Sequence, residues 1–418
     1  MMNKKIERIA YLDSEWWQNN FCNSTLDGVE PYLFKSILPA GFLTPEEIAK
    51  AFRLMQKEPD KARVRVYIGE ERRDDLAAKA LKSHFLLDES LLDFMARVAG
   101  EERFSLILNR LQDWSKSLTA SIGKFLQSMF AVRGIPLGGS EMVVFAGNYA
   151  GTAFGVHRGF ENAFLIHLGP GIKEFYCWSE KLYKELTGSL EPTFGDYDYL
   201  LSRADKFVLE PGDIFYLPSL VFHVGKQENF SVSVACPLYT YPTKRLLKEV
   251  VSNLAEQIPF DETGSSHHQS FIFNANPLQE LVSNVAKEIF DDWIHRQIPM
   301  VLNDYWFRLI SNGGFDLSEN PVDEARQEID LVSQMTIANT KIRLKKPYRI
   351  CWSRHNCDAE DVQVFLRGHS TTVSYSEEII ALFRHLNDGS DVYLDAFRSA
   401  IKDLCKISKT NGFEILET

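Results

Sequence analysis

Apolar residues recur at three- and four-residue steps from Leu111 to Phe130, a period that predicts a helix buried along one face. Leu43-Thr44-Pro45-Glu46-Glu47 reads as a helix start, with Thr at the N-cap, Pro at the first helical position and acids in the first turn. Residues 1 to about 120 therefore read as mostly helical. Around Gly138 the pattern changes to short β-rich runs separated by Gly, Pro, Asn and Asp. The runs are Met142–Ala146, Ala163–Leu168, Lys173–Trp178, Lys206–Leu209, Ile214–Leu217 and Ser231–Cys236, and short strands at such spacing predict a β-sandwich or barrel. Helical periodicity returns from Leu246 to about Ile310, broken by a polar loop from Asp261 to Gln269. In the last block Val362–Leu366, the turn Arg367-Gly368-His369, Thr371–Ser374 and a helix Ser376–Leu386 suggest a small winged-helix-like module.

Composition narrows the class. At 418 residues with 45% hydrophobic and 25% charged, the chain is ordinary globular protein, which removes disordered, collagen-like and coiled-coil classes. Forty-six Lys and Arg against 57 Asp and Glu give a net charge of −11, which argues against general binding to nucleic acid or anionic membranes. Six cysteines without regular spacing make no disulfide framework. No stretch reaches about 18 apolar residues, and Met1-Met2-Asn3-Lys4-Lys5 leads into polar sequence, so a soluble, cytoplasmic protein is expected.

The chemistry lies in the β-rich centre. Glu210-Pro211-Gly212-Asp213 is a turn that launches Ile214–Leu217; Pro218 breaks that strand, and His223 follows five residues later. Upstream, Phe154-Gly155-Val156-His157 places a second imidazole beside its own strand pair, sixty-six residues before His223. A barrel brings such strands face to face, so both rings can reach one metal ion. Two His with one carboxylate is the usual set for non-haem Fe(II) oxygenases. Read alone, His223 is equally a core histidine with a satisfied hydrogen bond.

These motifs resemble the JmjC and cupin-like group of Fe(II)/2-oxoglutarate oxygenases, built on a double-stranded β-helix jelly roll. The layout is similar to the bacterial ribosomal-protein hydroxylases, with a helical lead-in starting near Glu15-Trp16-Trp17-Gln18, a barrel, a helical dimerisation segment and a C-terminal winged helix. The resemblance implies an α+β chain with an oxygenase domain at 1–240, a helical, dimer-forming segment at 241–320 and a winged-helix-like domain at 321–418. It implies Fe(II) and 2-oxoglutarate as cofactors, a peptide or protein substrate with a small molecule not excluded, no nucleic acid or membrane partner, and a homodimer. It also assigns Lys173, sixteen residues after His157, to the distal carboxylate of 2-oxoglutarate. The alternative Arg slot, ten residues after the second His, holds Ser233. Tyr149, Thr152 and Ser231 are candidate hydroxyl partners of the cosubstrate.

One position departs from that pattern. The family has His-x-Asp or His-x-Glu, whereas this chain reads His157-Arg158-Gly159. Three readings stay open: Glu161 ligates instead; the slot is empty and takes a halide, as in the related halogenases; or the site binds no iron and the barrel is a non-catalytic binding module. His167 reads as a packed strand histidine rather than a ligand. Cys351-Trp352-Ser353-Arg354-His355-Asn356-Cys357 has too few ligands for structural zinc. His267-His268 reads as an exposed loop pair, and Lys341–Lys346 as a charge-protected edge strand or, equally, as a holder for an acidic segment of a protein substrate. The acids Glu377, Glu378, Asp388 and Asp391 argue against DNA binding by the C-terminal module.

Overall fold

The computed structural model describes residues 12–39, 41–100, 103–240, 247–248, 295, 298–316, 341–354, 360–408 and 412–416. Ten strands form the central antiparallel system. They are β1 (Tyr32–Phe34), β2 (Val64–Ile68), β3 (Glu71–Arg72), β4 (Ser105–Leu108), β5 (Val143–Tyr149), β6 (Asn162–Pro170), β7 (Lys173–Trp178), β8 (Asp205–Leu209), β9 (Ile214–Leu217) and β10 (Phe222–Leu238). The main sheet runs β1-β9-β6-β10-β5-β4-β2-β3, while β7 pairs both β10 and β8. This is a double-stranded β-helix, a jelly roll of the cupin kind, and β10 joins its two faces. The first part of β10 pairs with β7 (His223 opposite Cys177), and the last part lies between β5 and β6, with Val234 opposite both Val144 and Ile166.

Side-chain alternation sorts the barrel strands into two faces. Val144, Ala146, Phe164, Ile166, Val232 and Val234 pack outward into the main core beneath the helical lead-in. Val143, Phe145, Ala163, Leu165 and Ala235 face the barrel cavity. The lead-in covers the outer face through aromatic contacts. Trp17 meets Phe125 at 5.4 Å and Phe164 at 5.6 Å, and Phe21 meets Tyr216 at 4.9 Å, all edge-on. Each such buried side chain contributes about 1.5–3 kcal/mol from area, and each aromatic pair about 0.5–1.5 more. Trp17 Nε1 donates to Ser128 Oγ at 3.0 Å, which satisfies the indole.

The helix over Pro45–Lys57 starts where its sequence predicts, and the Glu47 carboxylate accepts from Thr44 N at 2.9 Å. The helix expected from Leu111 runs from Lys116 to Arg133 after a short 3-10 turn at Leu111–Asp113. Helix predominates over strand in residues 12 to 120, as read, but the reading missed β1, β2, β3 and β4, which extend the barrel sheet from within that segment.

At the C-terminal end β11 (Lys341–Leu344) lies between β15 (Val392–Tyr393) and β16 (Phe413–Leu416), so the edge-strand expectation is also corrected. Asp391 pairs with both Lys341 and Arg343, which lets a charged strand sit centrally. A second sheet of β12 (Cys351–Ser353), β13 (Asp361–Leu366) and β14 (His369–Ser374) precedes a helix, Glu377–Asn387, capped by Ser376 Oγ. Most of the segment expected to dimerise, the His267-His268 pair and Cys357 lie outside the described residues. Among the described residues no helix is long and apolar enough to cross a membrane.

Candidate active site

The two predicted imidazoles come together. His157 N donates to His223 O at 3.1 Å and His223 N to His157 O at 2.7 Å, a backbone exchange that holds the ring centroids 4.4 Å apart. His223 is the second residue of β10, and His157 pairs with it in an isolated antiparallel bridge ahead of β6. Each ring is oriented from behind: His157 Nδ1 lies 3.1 Å from Gly155 O, and His223 Nδ1 lies 2.9 Å from Val221 O. A carbonyl only accepts, so Nδ1 carries the hydrogen on both rings and each Nε2 keeps its lone pair. Burial lowers the pKa of His157, and burial with the neighbouring His157 charge takes His223 down to about 3. Both rings are therefore neutral at pH 7, the form that ligates metal.

The rings open onto a cavity of about 580 Å³ walled by Val143, Phe145, Leu165, Phe175 and Phe215. Lys173 lines the same cavity and is 1% exposed. Its Nζ donates to Tyr149 Oη at 2.7 Å and to Gln227 Oε1 at 3.0 Å. Among the described residues it has no carboxylate partner. Burial alone lowers its pKa to about 7. An ammonium so placed is costly unless an anion joins it. Gly225, on β10 between His223 and Gln227, makes room for it; a Cβ there would meet Lys173 Cε at 3.1 Å. Ser231 Oγ is buried without a hydrogen-bond partner among the described residues, and Thr152 lines the cavity.

Glu161 lines the cavity too, but its carboxylate is turned back so that Oε2 accepts from Phe160 N at 2.9 Å. Among the described residues no three His, Cys, Asp or Glu already stand together around one ion position. His167 is fully buried, with Nδ1 2.9 Å from Ser233 Oγ and Nε2 2.7 Å from Gly171 O. Both ring nitrogens are used, so it serves the strand and not a ligand. Gln227, the second partner of Lys173, is absent from the sequence reading; its signal is the 223, 225, 227 alternation with a glycine at the crowded step. Arg65, Asn109, Glu141 and Tyr239 also line the cavity, and the first two come from the segment read as helical.

A jelly roll that turns paired imidazoles and a buried lysine into one cavity is a cupin-like barrel. Residues 138–246 match the family model of the JmjC domain, which places this barrel in the JmjC and cupin-like superfamily. Solved structures similar to the chain include YcfD, a ribosomal oxygenase from Escherichia coli, at 15% identity over 93% of this chain and 95% of that one, with a TM-score of 0.47. The same protein in complex with cobalt and 2-oxoglutarate matches at 15% identity over 93% and 95%, with a TM-score of 0.48. Its complex with cobalt and succinic acid matches at 15% over 96% and 98%, also at 0.48. No curated protein matches the chain in sequence.

Proposed function

We propose that the protein is an Fe(II)/2-oxoglutarate-dependent oxygenase that hydroxylates an unactivated C–H bond of a peptide or protein side chain. The observation that carries this reading is one cavity holding two imidazoles with free Nε2 atoms and a buried lysine that, among the described residues, has no counter-anion. His157 and His223 would hold the metal, their Nδ1–H bonds to Gly155 O and Val221 O keeping the rings in place. Lys173, steadied by Tyr149 and Gln227, would anchor the distal carboxylate of 2-oxoglutarate, with Ser231 and Thr152 as further hydroxyl partners. With its cofactors bound, the site supplies dioxygen chemistry in which 2-oxoglutarate is oxidised to succinate and CO2 while the substrate gains a hydroxyl. The apolar walls exclude water from that reaction. A peptide is favoured over a small molecule because Phe160 beside the site and Phe194 on the cavity wall are 72% and 57% exposed. A homodimer through residues 241–320 belongs to the same proposal.

Anaerobic titration with Co(II), followed by succinate assays with candidate peptides and 2-oxoglutarate, tests the reading. His223→Ala is expected to abolish Co(II) binding while leaving a cooperative thermal transition. Absence of Co(II) binding and of succinate in the unmodified protein would leave a non-catalytic binding module.

A further inference from the structure

Among the described residues, Lys173, Arg158 and Arg65 are the Lys and Arg side chains that line the cavity. Lys173 is held by Tyr149 and Gln227, and Arg158 pairs with Glu180. Arg65 is different, because among the described residues its partner is neutral. Its Nη2 donates to Asn109 Oδ1 at 3.0 Å, and its guanidinium lies 5.6 Å from the Phe154 ring centroid. Phe154 in turn meets Tyr67 edge-on at 5.8 Å and His157 edge-on at 5.3 Å. Arg65 and Tyr67 are alternate residues of β2, so one strand supports that ring twice. The acids of the cavity are engaged elsewhere. Glu161 Oε2 accepts from Phe160 N, while Glu141 Oε1 accepts from Tyr239 Oη at 2.8 Å, with Arg110 and Arg63 as the cations acting on it.

We propose that Arg65 determines substrate specificity, and that the peptide entering this cavity presents a carboxylate to it, from an acidic side chain or a chain end. The inference rests on the oxygenase reading above. A guanidinium carries five N–H donors in one plane; Asn109 uses one and fixes the plane, which leaves a fork matched to a carboxylate. The cavity then has two separate anion positions, Lys173 for the cosubstrate and Arg65 for the substrate. Phe154 neighbours both Arg65 and His157, so a carboxylate held on Arg65 stays within one ring's span of the imidazoles.

Peptide titration into the full chain loaded with Co(II) and 2-oxoglutarate, read by calorimetry, tests this without turnover. The probes are pentapeptides blocked at both ends with Glu, Gln or Arg at the centre, and the Gln peptide with a free C-terminal carboxylate. At least one carboxylate-bearing peptide is expected to bind about tenfold or more tighter than the blocked Gln peptide, and which one does so names the source of the carboxylate. Arg65→Met is expected to erase that preference while 2-oxoglutarate and Co(II) still bind, and Arg65→Lys to restore part of it. Equal binding of the acid and amide peptides, tightest binding of the Arg peptide, binding of none of them, or a preference that survives in Arg65→Met would each overturn the assignment. Failure of the unmodified protein to bind Co(II) and 2-oxoglutarate would instead overturn the oxygenase reading beneath it.

Discussion

Lys173 Nζ lies 2.7 Å from the phenol oxygen of Tyr149, and that phenol is no counter-anion. Burial raises the Tyr149 pKa, so the ring stays protonated and gives the ammonium a dipole rather than a charge. On the proposed function, this position takes the distal carboxylate of 2-oxoglutarate. Lys173→Met should raise the 2-oxoglutarate concentration needed for half-saturation by about ten- to a hundredfold, since a charge-assisted hydrogen bond is worth about 1.5–3 kcal/mol. Titration of the cosubstrate at fixed Co(II) measures it, and an unchanged curve would assign the carboxylate to another cation.

On the proposed function, the same lysine should make cosubstrate binding sensitive to alkali. Its folded pKa near 7 lies below the ordinary 10.5, so between those values the unfolded chain holds a proton that the folded chain lacks. Lys173 therefore contributes stability that rises with pH across that window. Binding runs the other way, because a carboxylate needs the charged amine. Affinity for 2-oxoglutarate should fall as pH climbs above about 7, and binding at pH 8 should take up a proton. Calorimetry in buffers of different ionisation enthalpy detects that uptake, and Lys173→Met should remove it.

His167 should behave as a structural residue. Replacing it with Leu leaves Gly171 O and Ser233 Oγ without their partner, at about 1–3 kcal/mol for each stranded group. Because Gly171 turns the chain into Lys173, 2-oxoglutarate affinity should suffer more than Co(II) affinity. Burial lowers the His167 pKa to about 4, so its contribution is present above about 6.5 and lost as pH falls towards 4. Denaturation followed against pH should show a flatter acid limb in His167→Leu. An equally steep limb would place the acid sensitivity elsewhere.

Gly155 carries a different constraint. Its φ of +60° is strained for other residues, and a Cβ would stand 2.2 Å from Thr193 O, a backbone atom that cannot step aside cheaply. Gly155→Ala should destabilise the fold by about 1–3 kcal/mol. It should also loosen the carbonyl that orients His157, lowering Co(II) affinity about tenfold. A lowered melting temperature with unchanged Co(II) affinity would separate the strain from the orienting role.

The barrel was legible because its strands announce themselves. All six predicted runs fall on strands, and the Pro-Gly-Asp turn before Ile214 closes through Asp213, whose carboxylate accepts from Glu210 N and Ser36 N. The strands of the lead-in were not legible. Ser105–Leu108 is buried at every position, so it shows no alternation, and a short apolar run fits a helix as readily. Lys341–Leu344 alternates charge as an edge would, and only the distant Asp391 reveals it as central. The pairing of His157 with His223 could be anticipated from the sequence. What completes the position beside Gly159 stays a choice among three in the sequence, because it depends on where a side chain folds.

The 17-residue strand Phe222–Leu238 carries His223 near one end, Gln227 beside Lys173 five residues into it, and two neighbours of the main sheet beyond. The proposed metal and cosubstrate sites thus share one ruler, and neither can be moved lengthwise without dragging the other. A residue inserted between 223 and 227 would put the imidazole and the amide out of phase on opposite faces. The irregular step between Gln227 and Ser231 is where the strand can absorb a change in length, sparing both. Descendants of this chain would be free to vary there while inheriting the spacing upstream intact.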